Sequence, residues 1–201
     1  MFVQFIEGRC TDEAGVRKQW DRWQEELKPG AIGFLGSTAG ITEDGTFFTA
    51  ARFESKEAAQ KNSDRPEQGQ WWSETEQYLE NVKFRDCTDI DEYAKGGSDD
   101  AGFVQVMQGT VSDRERSRAL DEKMMENMPN LRPDIIGGYQ AWDADGKTFT
   151  AVNYFTTEAE AREGEKKEVP AELQDAMKEW GEIMQGETRF IDLKEPWYST
   201  K

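Results

Sequence analysis

The sequence predicts an α+β fold built from two copies of one β-α-β-β-α-β unit in a single chain. Three observations carry that expectation. The first is an internal repeat. Phe2-Val3-Gln4 recurs as Phe103-Val104-Gln105, Gly8 and Asp12 as Gly109 and Asp113, and Phe48-Thr49-Ala50 as Phe149-Thr150-Ala151, all at an offset of 101 residues. The second is a Gly-rich, charged stretch between the copies, which divides the chain into a first repeat at 1–93, a linker at 94–101 and a second repeat at 102–201. The third is that the strands are apolar on both faces.

Taken in order, strand 1 spans 2–8. A helix follows with Thr11 or Asp12 as N-cap, and Val16, Trp20, Trp23 and Leu27 form one apolar stripe along it. Leu120, Met124 and Met128 repeat that stripe in the second copy. Lys28-Pro29-Gly30 stops the helix. Strand 2 is expected at 31–39, a turn at Glu43-Asp44-Gly45 and strand 3 at 46–53. A short helix at 56–61, a longer one at 68–81 and strand 4 at 82–87 complete the ferredoxin-like order.

Side chains alternate across a strand, so Phe48 and Ala50 face one way while Thr49, Ala51 and Phe53 face the other. A sheet with one wet face would alternate apolar with polar residues. Here the helices cover one face, and the sheet of the other copy is the simplest cover for the second. The expected fold is thus α+β, with two ferredoxin-like repeats forming an intrachain, pseudo-dimeric α+β barrel. Strand 1, strand 3 with Glu54-Ser55-Lys56-Glu57-Ala58-Ala59, and the aromatic helix Trp71-Trp72-Ser73-Glu74 resemble the dimeric α+β barrel superfamily. The resemblance is closest to its antibiotic-biosynthesis-monooxygenase-like branch, with the two protomers fused by tandem duplication.

Composition narrows the function. The 201 residues carry 25 Lys and Arg against 41 Asp and Glu, a formal net charge of −16, which disfavours nucleic acid and anionic membranes as partners. His is absent, which removes Ser-His-Asp triads, Cys-His nucleophiles and HExxH zinc sites. No metal site is indicated, and Asp89-Ile90-Asp91-Glu92 reads as a solvated acidic loop. No leader or membrane-spanning run is seen, and Cys10 and Cys87 read as free thiols, so a cytoplasmic location is expected. They fall at opposite ends of neighbouring strands, out of disulfide reach.

The resemblance implies a monooxygenase-like protein that binds a planar aromatic or quinol-type small molecule without a cofactor. A non-catalytic ligand-binding or structural barrel is the alternative, and a further homodimer stays open. Haem-degrading members of the branch use a His ligand, which this chain lacks. The resemblance directs attention to Asn62, Trp71, Trp72 and Tyr78, since indole stacks on an electron-rich ring while an amide bonds a developing oxyanion. Each has a plainer reading. Asn62 could be a helix C-cap. Trp71 and Trp72 could fill core, although adjacent residues point about 100° apart on a helix and cannot share one core position. Arg52 could bind a carboxylate or phenolate, or reach the rim.

Gln4 and Gln105 are expected to be more than half buried, either paired across the barrel or lining a pocket. Any site is expected mainly in the first half. On the 101-residue offset, Asn153 replaces Arg52 and Glu163 replaces Asn62, and further along Asp175-Ala176-Met177 is read as standing where the Trp pair stood.

Overall fold

The structure, a computed structural model, describes residues 1–200; the Met128 side chain, assigned above to the second helix stripe, lies outside the described residues. The chain forms two compact units. One comprises Met1–Ile90 with the chain from Glu195 onward, the other Asp91–Lys194. The first repeat runs β1 (Phe2–Cys10), α1 (Glu13–Arg22), β2 (Phe34–Ile41), β3 (Thr46–Phe53), α2 (Lys56–Ser63), α3 (Pro66–Thr75) and β4 (Leu79–Cys87). After β5 (Asp89–Tyr93) the order recurs as β6 (Phe103–Val111), α4 (Arg114–Leu131), β7 (Ile135–Trp142), β8 (Thr148–Phe155), α5 (Glu158–Glu165), α6 (Ala171–Ile183) and β9 (Met184–Leu193). β10 (Trp197–Thr200) ends the described chain.

Local chemistry accounts for most boundaries. Asp12 caps α1 by accepting from the Gly15 N–H at 3.1 Å, and Ser55 and Thr157 cap α2 and α5 in the same way. Past α1 the helix widens into a π-turn at Trp23–Leu27 before Pro29 ends it. Strand 2 begins later than the sequence suggested, because Gly33 turns the chain with φ +60°. The second long helix is also shorter than expected. It stops at Thr75, and 79–81 belong to β4, where Leu79 pairs with Cys10 and packs with Val16 and Phe47. That packing outweighs the helical pattern.

Both sheets are antiparallel, in the orders β10-β2-β3-β1-β4 and β5-β7-β8-β6-β9. Numbered within one repeat, the strands of each sheet run 4-1-3-2, the ferredoxin-like order, widened by a fifth strand. The acidic run 89–92 is therefore not a loop but most of β5, beside β7, while β10 joins β2. Each added strand follows one repeat in sequence and completes the sheet of the other.

Strand register corrects the repeat alignment. Phe2 pairs with Phe53 and Phe103 with Phe155, so β3 and β8 correspond at an offset of 102. Asn153 then corresponds to Ala51, and Tyr154 to Arg52. The N-caps Ser55 and Thr157 share that offset, which sets Gly164, not Glu163, at the place of Asn62.

Both faces of the first sheet are buried. On the helix-facing side Phe2, Phe47 and Phe53 are buried, and on the reverse side Val3, Phe5, Phe48 and Ala50 are at most 1% exposed. Cys10 and Cys87 are not joined in a disulfide; they lie opposite Leu79 and Val3 at the two ends of the β1–β4 pair.

Candidate functional site

The first unit contains a cavity of about 90 Å³ between its sheet and its helices. Its floor is Gln4 and Ile6 of β1, Ser37 of β2, and Phe47, Thr49, Ala51 and Phe53 of β3. Its roof is Val16, Trp20 and Trp23 from the first helix, Asn62 and Ser63 from α2, and Gln68, Trp71, Trp72 and Thr75 from α3. The cavity lies between two apolar clusters. One gathers Phe2, Trp23, Leu27, Phe34 and Phe53, with Trp71 against it. The other gathers Val16, Phe47 and Leu79, with Trp72 and Tyr78 against it. The rotation between adjacent helical residues is what divides the Trp pair. Trp71 goes to one cluster and Trp72 to the other, their ring centroids 6.0 Å apart, and both border the gap.

Hydrogen bonds fix most of the wall. Trp71 Nε1 donates to the Gln19 carbonyl at 2.8 Å, and Trp23 Nε1 to Gln68 Oε1 at 3.0 Å. Thr49 Oγ1 donates to the Thr38 carbonyl, and Thr75 Oγ1 to that of Trp71. An Arg22–Glu74 ion pair links α1 to α3, and hydrogen bonds from Gln70 and Arg22 hold the Glu74 carboxyl below its usual pKa.

Asn62 is buried inside α2, and Asp64 is the C-cap. The Asn62 Oδ1 accepts from Arg65 Nη1 at 3.0 Å, and none of the described hydrogen bonds uses its NH2 group or that of Gln68. These two amides can donate to an oxygen in the cavity. Gln4 and Gln105 are both largely buried, and each donates to a carboxylate on the neighbouring strand, Asp86 at 3.0 Å and Asp192 at 3.1 Å.

The structure thus brings together Asn62, Trp71 and Trp72 and leaves out two other candidates. Arg52 shares the reverse face with Phe48 and Ala50, its guanidinium lying over Gly36. Tyr78 packs over Gly15, where an added Cβ would lie 2.6 Å from the ring. Trp20 and Trp23, read from sequence as part of the apolar stripe of the first helix, are cavity walls too. Their helical stripe marks what they pack against but not the gap beside them.

None of the lining side chains is ionisable. The site is apolar and aromatic with neutral hydrogen-bonding groups, so it favours a flat ligand with a few oxygens. Size adds a condition. A cavity of roughly 150 Å³ accepts a benzene ring, so a ring enters here only if a wall side chain swings. Trp71 is tied to Gln19; Trp72, half-buried and edge-on to the exposed Phe84 at 5.1 Å, is the freer gate.

No family model and no curated relative matches the chain. Solved structures do. A candidate monooxygenase from Fusobacterium nucleatum is similar over 100% of this chain and 97% of its own, with a TM-score of 0.77 at 11% identity. A candidate monooxygenase from Lactobacillus acidophilus is similar over 98% and 99%, with a TM-score of 0.71 at 12% identity. An anthrone oxidase-like protein is similar over 98% and 92%, with a TM-score of 0.65 at 9% identity. At such identities the likeness is one of fold.

Proposed function

Starting from a chain with the fold of monooxygenase-like α+β proteins, we propose that the first-unit cavity binds a planar aromatic or quinol-type molecule and oxidises it without a cofactor. The observation that supports this reading is the aromatic cavity itself, flanked by Trp20, Trp23, Trp71 and Trp72 and supplied with the Asn62 and Gln68 amides. The substrate provides all four electrons that reduce dioxygen: one oxygen atom enters it, and the other leaves as water together with two of the substrate's hydrogens. With no acid or base in the wall, the substrate releases its proton to water or arrives ionised, and the amide N–H groups stabilise the oxyanion.

The lack of an ionisable lining group also favours a second reading, a protein that holds such a ligand without turning it over. Oxygen uptake separates the two. Protein mixed with hydroquinone, catechol or a polycyclic quinol should consume oxygen at a rate proportional to protein concentration, and Asn62→Ala should lower that rate at least tenfold. Saturable binding with no uptake would leave the binding-protein reading.

A further inference from the structure

We propose that the second unit holds a ligand site of its own that Tyr93 occupies, and that this site takes a para-alkylated phenol once the Tyr93 ring is removed. The proposal rests on the reading of the first-unit cavity as an aromatic-ligand site, because it transfers that site to the other repeat.

The two apolar clusters that flank the first cavity recur in the second unit. Phe103, Phe155 and Ala161 form one, and Val111, Trp142 and Phe149 the other. What lies between them differs. In the first unit, Ser37 pairs with Ala51 on the cavity floor, and β10 sets only Ser199 opposite Ser37. In the second, the same pair is Gly138 and Asn153, and β5 lays the Tyr93 ring over it.

The fit is close. A Cβ on Gly138 would lie 2.0 Å from the Tyr93 ring, so only glycine permits the ring there. The Tyr93 hydroxyl donates to Asn153 Oδ1 at 2.7 Å. Burial first, then the nearby Asp121 carboxylate, pushes its pKa well above the ordinary value, which keeps it a neutral donor. A tight turn follows the ring, closed by the Gly96 N–H donating to the Tyr93 carbonyl at 2.8 Å. Directly after Tyr93, Ala94 and Lys95 take φ of +44° and +78°, strained for residues with a side chain. In effect the second unit binds the phenol of its own chain, whereas the first-unit cavity is open.

The test is titration calorimetry with p-cresol, the Tyr93 side chain without its backbone. Tyr93→Gly should bind one more p-cresol per chain than the unaltered protein, and Tyr93→Phe none more. Adding Asn153→Ala should weaken the new site roughly tenfold, the loss of one buried hydrogen bond, and toluene should bind it about as weakly as that double variant binds p-cresol. Should Tyr93→Gly not fold alone, near-ultraviolet circular dichroism should show p-cresol restoring the fold, as a ligand of the native state must. A folded Tyr93→Gly with no added site, or a variant still unfolded in saturating p-cresol, overturns the proposal. Binding to the unaltered protein without a gain in Tyr93→Gly defeats this proposal alone. A gain without binding to the unaltered protein defeats the first-cavity reading and leaves this one standing.

Discussion

The Trp71 indole N–H donates to the main-chain carbonyl of Gln19 at 2.8 Å, a bond from α3 to α1 across the roof of the cavity. It holds one ring of the Trp pair and leaves Trp72 without the same restraint. Trp71→Phe keeps an aromatic ring but deletes the donor. It should lower stability by about 1 kcal/mol, the usual net value of such a bond, in urea unfolding followed by circular dichroism. The same variant should weaken ligand binding less than Trp71→Ala, which removes the stacking surface.

Filling the cavity should separate binding from folding. Ala51 lies on the cavity floor and is only partly buried, so Ala51→Leu extends into empty space. Stability should change by less than about 1.5 kcal/mol, while ligand affinity falls at least tenfold. Unchanged affinity, measured by tryptophan fluorescence, would place the ligand elsewhere.

Since no lining side chain titrates, the pH dependence of turnover should belong to the substrate. Across phenols of differing acidity, the pH at which kcat/KM is half-maximal should follow the phenol pKa. A fixed midpoint shared by all substrates would reveal a protein acid or base.

Asp121, on α4, predicts a pH effect on stability. Burial first, with the Asp91 charge adding to it, raises its pKa to about 6, against hydrogen bonds from Gln140 and Ser117 that lower it. Asp91 itself faces Arg118 and the Trp142 indole N–H. A carboxyl whose pKa is raised by folding binds its proton more tightly in the folded state. Its contribution is present below about pH 4 and is lost as pH rises through about 6, a change of up to ~3 kcal/mol. Asp121→Asn should remove that part of the pH dependence in thermal unfolding scanned from pH 4 to 8. An identical pH profile in the variant would show that Asp121 is ionised throughout.

Much of the fold was legible because it rests on local, periodic signals. The repeat of Phe2-Val3-Gln4, the caps at Asp12 and Ser55 and the two-sided strand at Thr46–Phe53 all act over a few residues. The fifth strands were not, because Asp89–Tyr93 looks solvated until β7 lies beside it. Trp197–Thr200 carried a usable signal, three strand-favouring residues, Trp197, Tyr198 and Thr200, after Pro196. At the site, Asn62, Trp71 and Trp72 were named through the family resemblance, and the sequence itself added only that two adjacent helical Trp residues cannot share one core position. Arg52 could not be placed, since its usefulness depended on which face of β3 meets the helices. Nor could Tyr93, whose role exists only once Gly138 and Asn153 are beneath it.

The most direct test of the first-unit site is fluorine NMR of protein labelled with 5-fluorotryptophan, titrated with hydroquinone. The chain has seven tryptophans, and single Trp→Phe variants assign their signals. Saturable shifts should appear at Trp20, Trp23, Trp71 and Trp72, largest at Trp72, while Trp142 and Trp180 stay in place. Saturable shifts at Trp142 and Trp180, with the four cavity signals unmoved, would contradict the assignment of the site to the first unit.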